Sequence, residues 1–340
     1  MKHVNIPIFI PHLGCPNQCV FCNQRSISGI SEFDSNKLEG IINDSLSTIP
    51  KDYDVEIAFF GGSFTGIERT QMINLLEVAY KYIQDGRVSH IRCSTRPDYI
   101  DAEILDILKR YGVKVIELGL QSSSDNVLSV TKRGHNFLSE KTACQMIVDN
   151  GFDLAGQMMI GLPNSTIEDE EATARFIINS GAKYARIYPT VVFKGTELCE
   201  LTEKGIYTPL SLDDAIDRSA KVCKLFIDAD IDVIRIGLCA SENLSSDTTY
   251  YAGPNHPAIG ELVENKIYFK IIKENLDSIL LSSDDCIKVS VAPGCLSKAI
   301  GQKKKNKLLL MQTYNVKDIK FVESNSLSLY EVSIVVERNK

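Results

Sequence analysis

The chain has 340 residues, 44% hydrophobic and 24% charged, with 21 Gly and 11 Pro; this composition excludes collagen-like, coiled-coil and disordered chains, and the length suits about two domains. Forty-four acids against 37 bases leave a net charge of −7, so no global positive field draws the chain to nucleic acid, and any such site must be local. No apolar run approaches the roughly 18 residues that cross a bilayer, and Met1–Ile10 is too short before a Cys/Pro/Asn turn to be a signal peptide, so the expected location is cytoplasmic, with no membrane partner.

Short β-branched, apolar runs predict strands near Val4–Ile10, Val55–Phe60, Ser89–Ser94, Lys114–Gly119, Leu154–Ile160, Ala185–Val192 and Val233–Ile236. Amphipathic stretches between them predict helices near Lys37–Leu46, Glu68–Ile83, Asp101–Arg110, Glu140–Asp149, Ile167–Asn179 and Leu212–Phe226. This alternation means βαβ units and a parallel sheet. Six or so units are fewer than the eight that close a full barrel, so a partial (β/α)6 barrel and an open doubly wound sheet both remain, with chemistry expected at the C-terminal strand ends in either.

After the loop Ser241–Pro257 the pattern changes to a helix near Ala258–Asn275, a strand Ile287–Val291, two short helices flanking Gly301, and strands near Ile319–Glu323 and Tyr330–Val336. The expected division is a core over 1–240 and a small α+β domain over 241–340. Tyr250–Ala258 reads as a turn cluster between them, or as a segment lining the open end of the sheet, with Pro257 starting a helix.

Ten cysteines without an export signal read as reduced thiols, metal ligands or catalytic groups. Three of them, Cys15, Cys19 and Cys22, are spaced C-x3-C-x2-C in the loop Gly14-Cys15-Pro16-Asn17-Gln18-Cys19-Val20-Phe21-Cys22, directly after the first strand. Grouped thiolates suit an Fe–S cluster or zinc. Structural zinc needs a fourth ligand, which His12 could supply. A 4Fe-4S cluster held by three thiolates instead leaves one iron open to a reactant. The remaining cysteines form no C-x-x-C pair, and Cys286 and Cys295 share only the small domain.

The cysteine loop, so spaced and so placed, resembles that of the radical S-adenosylmethionine (SAM) superfamily. The resemblance implies that the open iron chelates SAM and that one electron cleaves it to methionine and a 5′-deoxyadenosyl radical, the electron coming from a flavodoxin- or ferredoxin-type donor. It also assigns further segments. Phe59-Phe60-Gly61-Gly62-Ser63-Phe64-Thr65 follows the second strand, where Gly61, Gly62 and Ser63 would meet the SAM amino group. Ser94 and Gln121 stand where relatives bind ribose and carboxylate, although each could equally cap the following helix. Phe21 would lie against the adenine.

Arg96-Pro97-Asp98-Tyr99, Glu117-Leu118-Gly119-Leu120-Gln121-Ser122, Thr131-Lys132-Arg133-Gly134-His135, Met158-Met159-Ile160-Gly161-Leu162-Pro163 and Ile187-Tyr188-Pro189-Thr190 look like the radical SAM portion of the Elongator catalytic subunit, over roughly residues 5–210. That family modifies the wobble uridine of tRNA, which implies an RNA substrate here, and it places Arg133 facing the SAM carboxylate. A salt bridge to a local acid is the plainer role for Arg133. The chain departs from that subunit in a shorter first cysteine gap and in an end too short for an acetyltransferase fold, so acetyl-CoA dependence is not carried over. Oxygen-independent coproporphyrinogen oxidases share the skeleton more loosely.

Between Ile300 and Lys320 stand six lysines against Asp318 alone, a surplus of five. A charge run is most often a solvated face. Here the order strand, helix, Gly301-Gln302-Lys303-Lys304, helix, strand resembles the core of a KH domain, whose Gly-x-x-Gly loop clamps nucleic-acid backbone. Gly301, Lys303, Lys304 and Lys305 are therefore candidate RNA contacts, with Lys304 standing where the second glycine belongs. Three functions follow: a radical SAM enzyme acting on RNA, one acting on a small molecule or tetrapyrrole, and a non-catalytic Fe–S/SAM or haem binder.

Overall fold

A computed structural model of the chain describes residues 2–10, 13–16, 19–23, 33–238 and 248–338; His12, Asn17, Gln18 and Cys239 lie outside the described residues. The chain gathers into two compact units, Met1–Ser211 with Leu225–Asn255, and Leu212–Lys224 with His256–Lys340. Each has its own sheet.

The first unit begins with β1 (His3–Ile10), α1 (Leu38–Thr48), β2 (Asp54–Gly61), α2 (Arg69–Gln84), β3 (His90–Thr95), α3 (Ala102–Arg110) and β4 (Val113–Gln121). It continues through α4 (Asp125–Val130), α5 (Phe137–Asp149), β5 (Asp153–Ile160), α6 (Ile167–Asn179), β6 (Tyr184–Pro189), β7 (Val192–Phe193) and α7 (Glu197–Glu203). The chain passes between the units within α8 (Leu212–Asp228), and β8 (Asp232–Ile236) and β9 (Tyr250–Ala252) complete the first. Seven strands pair in the order β1-β2-β3-β4-β5-β6-β8, all parallel.

A doubly wound sheet reverses its strand order at a switch point. This one never does. With right-handed crossovers, a monotonic order sends every connecting helix to the same face, so the sheet curls into an open half-barrel, the partial barrel expected from the sequence. The two faces differ as the strand period of two demands. Under the helices lie Ile6, Ile8, Ile57, Phe59, Ile91, Cys93, Ile116, Leu118, Leu154 and Ile187, all essentially buried. The other face carries Glu56, Arg92, Ser94, Glu117, Gln157, Arg186 and Tyr188, which the strand registers align side by side. Gly156 marks how closely α6 lies on β5: a Cβ there would stand 2.5 Å from Ile177 Cγ2.

Two expectations are corrected. The strand read over Ala185–Val192 stops at Pro189, which has no N–H to extend a ladder, and Val192–Phe193 instead pairs antiparallel with Tyr250–Ala252. The start of the turn cluster Tyr250–Ala258 is thus a strand, while His256 Nδ1 accepts from the Ala258 amide at 3.1 Å just before the next helix. Helices α4 and α7, six and seven residues long, were not foreseen because two turns are too few to display a helical period.

The second unit contains α9 (Ile259–Asp277), β10 (Cys286–Val291), α10 (Leu296–Ile300), α11 (Lys305–Tyr314), β11 (Asp318–Glu323) and β12 (Val332–Glu337). β10 is central, parallel to β11 and antiparallel to β12. Ile287, Val289, Val291 and Ile319 from the sheet, Tyr268, Ile272 and Leu276 from α9, and Ala299 and Leu310 from α10 and α11 form one buried core. Among the described residues no helix is long and apolar enough to cross a membrane.

Candidate active site

The cysteine loop leaves β1 at the C-terminal edge of the sheet and is pinned by backbone. Gly62 donates to Ile10 O at 2.8 Å and Ser63 to Leu13 O at 2.9 Å. Gly14 has φ +73, and a Cβ there would fall 2.1 Å from Ser63 O, so no other residue permits this approach of loop to strand end. The far half of the loop is held by Val20 N to Thr131 O at 3.2 Å and Leu198 N to Val20 O at 2.8 Å. Phe21 packs against the cluster of Val20, Val192, Leu198 and Tyr207.

Cys15 and Cys22 are half-buried, Cys19 is buried, and none of the three forms a disulfide with a described residue. Among the described residues no three Cys, His, Asp or Glu side chains converge as an ion would require, these thiols included. Their surroundings nonetheless fit a thiolate-bound cluster. Arg133 Nη1 stands 3.2 Å from Cys19 Sγ. Burial pushes the Cys15 thiol above its ordinary value, and the Arg96 and Arg133 guanidiniums bring it only part of the way back. Cluster ligands must be thiolates, and fixed cations favour that form.

The other expected SAM contacts sit around this loop with their side chains already partnered. Ser63 Oγ lies 2.9 Å from Thr95 Oγ1, which Thr65 Oγ1 meets at 2.6 Å; the Ser63 hydroxyl is spent within the protein. Ser94 Oγ donates to Glu117 Oε2 at 3.1 Å. Gln121, buried, adopts φ 72 where the pairing of β4 with β5 slips between Gly119 and Gln121, and this slip turns its side chain toward Gln157 Nε2 at 3.5 Å. The Gly119 carbonyl accepts from Arg133 Nη2. Arg133, Cys19, Gly119 and Gln121 are thereby brought to one place. Gly301, Lys303, Lys304 and Lys305 belong to the second unit.

Sequence reasoning passed over a second feature. On the polar face of the sheet, Arg92 bridges Glu56 at 2.8 Å and Glu117 at 3.0 Å, and Arg186 meets Glu117 at 2.9 Å. His90 Nε2 reaches Glu56 Oε2 at 2.8 Å. Burial would raise the Glu56 carboxyl, but His90 and Arg92 outweigh it and hold the group below its ordinary value. Arg92 lies 5.2 Å over the Tyr184 ring and Arg186 5.1 Å over Phe60. The available signal was an isolated charge flanked by apolar residues in four of the strands, Glu56 in β2, Arg92 in β3, Glu117 in β4 and Arg186 in β6.

A third group lies behind Arg133. Asp98 clamps Arg96 through two bonds of 2.9 Å, Arg96 Nη2 donates to the Arg133 carbonyl, and His135 joins Arg96 at 3.3 Å to Glu140 at 3.1 Å.

A parallel half-barrel with a three-cysteine loop at the end of its first strand defines a class. The profile of the radical SAM superfamily matches residues 9–177, and that of the radical SAM C-terminal domain follows over residues 182–268; the chain belongs to this superfamily. Its cofactors are accordingly a 4Fe-4S cluster and SAM, and it is an enzyme.

Among particular proteins, the chain is similar to Elongator complex protein 3 of Dictyostelium discoideum, 32% identical over 54% of this chain and 34% of that one. It is also similar to a tRNA uridine(34) acetyltransferase of Methanocaldococcus jannaschii, 31% identical over 47% of this chain and 29% of that one. An archaeal Elp3 structure from Methanocaldococcus infernus shares the fold with a TM-score of 0.61 at 22% identity, covering 81% of this chain and 64% of that one. The matched region spans about a third of the length of each of these two curated relatives.

Proposed function

We propose that this radical SAM enzyme acts on RNA, with tRNA as the substrate class, and that the turn between α10 and α11 holds the RNA backbone. When bound, the reduced cluster and SAM supply a 5′-deoxyadenosyl radical, with the electron drawn from a flavodoxin- or ferredoxin-type donor. Cys15, Cys19 and Cys22 would hold the cluster. Gly61, Gly62, Ser63, Ser94, Gln121 and Arg133 would orient SAM, with Phe21 toward its adenine.

One relative is by name a tRNA uridine(34) acetyltransferase, and the observation that carries the reading is local. Lys303, Lys304 and Lys305 are all exposed, and among the described residues none of the three joins an ion pair. Their neighbours do: Lys298 meets Glu264 at 2.7 Å and Lys307 meets Asp318 at 2.8 Å. Gly301 has φ 79, and Lys303 and Lys304 hold φ 53 and 62, left-handed backbone that costs a non-glycine residue about 1–2 kcal/mol. Lys304 therefore holds a left-handed conformation that favours glycine while adding a charge for phosphate.

Filter binding of bulk tRNA across a salt series tests this. The triple variant Lys303→Glu, Lys304→Glu, Lys305→Glu should bind at least tenfold more weakly and with a shallower salt dependence, by about 0.7–0.9 in logarithmic slope for each phosphate that is no longer neutralised. Equal affinity in the variant, or binding indifferent to salt in the wild type, contradicts the reading.

A further inference from the structure

The polar face of the half-barrel ends on a cation that its own acids do not offset. Glu117 is shared between Arg92 and Arg186, at 3.0 and 2.9 Å, and Glu56 is taken by Arg92 and His90. Arg235 then joins the row, because the strand registers align Gly119 with Gln157, Gln157 with Arg186, and Arg186 with Arg235. Among the described residues no carboxylate pairs with Arg235. The acid of its own strand, Asp232, stands at the exposed start of β8, in register with Tyr184 instead.

Arg235 is held in place without being neutralised. Its Nε donates to Gly237 O at 2.9 Å and its Nη2 to Leu238 O at 2.6 Å, which fixes the half-buried guanidinium toward the C-terminal end of β8. A guanidinium has five N–H donors, and among the described residues Nη1 makes no bond. Beside it Arg186, 14% exposed, turns Nη2 to Glu117 and Nη1 to Tyr188 Oη at 3.2 Å, while its Nε meets no acceptor. Neighbouring strands lie about 4.8 Å apart, so two cations are rooted side by side where burial leaves their repulsion weakly screened. An anion between them removes that cost. One guanidinium fork satisfies the two oxygens of a carboxylate; two forks suit the larger oxygen set of a phosphate. The same row reaches Gly119, whose carbonyl accepts from the Arg133 that stands beside Cys19.

We propose that Arg186 and Arg235 form a phosphate-binding subsite on the polar face of the half-barrel, and that the phosphate it takes belongs to the RNA backbone. The subsite rests on the two arginines; the source of its phosphate rests on the RNA reading above.

Equilibrium dialysis of radiolabelled inorganic phosphate against the full chain, anaerobically reconstituted and saturated with SAM, tests the subsite. The parent carries Lys303→Glu, Lys304→Glu and Lys305→Glu, so that the turn between α10 and α11 contributes nothing. Adding Arg235→Gln should weaken phosphate binding about tenfold or more, the loss expected for a charged hydrogen bond. Arg235→Lys, which keeps the charge without the two backbone bonds, should stay close to the parent, and so should Arg69→Gln, an exposed residue on α2 paired with Glu103. A parent that takes up no phosphate, or equal binding in Arg235→Gln, overturns the proposal. So does an equal loss in Arg235→Lys, which would make the turn geometry responsible rather than the charge. Arg186→Gln should weaken binding likewise; if loss of its Glu117 pair prevents folding, the Arg235 variants still decide. Acetate that displaces phosphate as readily as sulfate does overturns the assignment to phosphate. Displacement by a short oligouridylate with hydroxyl ends supports the RNA backbone as the source. Displacement by uridine 5′-monophosphate alone keeps the subsite and overturns its RNA source, so the two failures are told apart.

Discussion

Arg133 lies with Nη1 3.2 Å from Cys19 Sγ while Nη2 donates to the Gly119 carbonyl, so one guanidinium ties the cysteine loop to the end of β4. Replacing it by Ala removes a charged hydrogen bond and a cation beside the thiols. A lost charged bond is worth about 1.5–3 kcal/mol, which is roughly a 10- to 100-fold weaker SAM affinity. Equilibrium dialysis with SAM on the reconstituted protein reads this directly, and Arg133→Lys should recover part of it. Unchanged affinity in Arg133→Ala would remove this residue from the SAM site.

Glu117 accepts from Arg92, Arg186 and Ser94 within the sheet's polar face. Breaking a buried pair from one side leaves uncompensated charge and costs about 3–5 kcal/mol. Glu117→Gln should therefore lower apoprotein stability by this order in urea unfolding. The double variant with Arg92→Met should cost less than the two single changes added, because the sites share a network. Strict additivity would mean that the ion pairs act independently.

Burial pushes the Glu140 carboxyl up to about 7, with the His135 hydrogen bond offsetting part of the rise. A carboxyl whose folded value is raised binds its proton more tightly in the native state, so the stability it lends is full below about pH 4.5 and is lost as pH climbs to about 7. Relative to Glu140→Gln, wild-type apoprotein should lose on the order of 3 kcal/mol across that window and then level off. A difference between the two proteins that is flat with pH would contradict this.

Lys-to-Glu reversal at 303–305 also bears on whether the C-terminal unit matters to catalysis. If RNA is the substrate, the triple variant should still release 5′-deoxyadenosine when reduced with dithionite in the absence of RNA, because the cysteine loop is untouched. Any stimulation of that release by tRNA should disappear. Product analysis by chromatography checks both arms, and retained stimulation would place the RNA-binding surface elsewhere.

Much of this arrangement is legible in the sequence because it rests on short-range signals. The runs around Ile6, Ile57, Ile91, Ile116, Leu154 and Ile187 announce strands through their alternation, and the cysteine spacing places three thiols in one turn-rich loop after β1. What escapes reading is whatever depends on register. Glu56, Arg92, Glu117 and Arg186 are isolated charges within apolar runs, and only the parallel pairing aligns them into a network. The left-handed turn of Gln121 follows from a one-residue slip between β4 and β5, which no composition reveals. Arg96, Asp98, His135 and Glu140 come from separate segments, and their union is a tertiary fact. Pro189, by contrast, carried a readable stop within the strand drawn through it.

The central claim is that Cys15, Cys19 and Cys22 hold a 4Fe-4S cluster whose remaining iron is free for SAM. Anaerobic reconstitution followed by metal analysis and electron paramagnetic resonance, with and without SAM, measures it most directly. The account predicts iron and sulfide in equal amounts, a reduced-cluster signal that changes shape when SAM is added, and loss of both in Cys19→Ala but not in Cys144→Ala. Stoichiometric zinc without iron, or a reduced signal that SAM leaves unaltered, would contradict it.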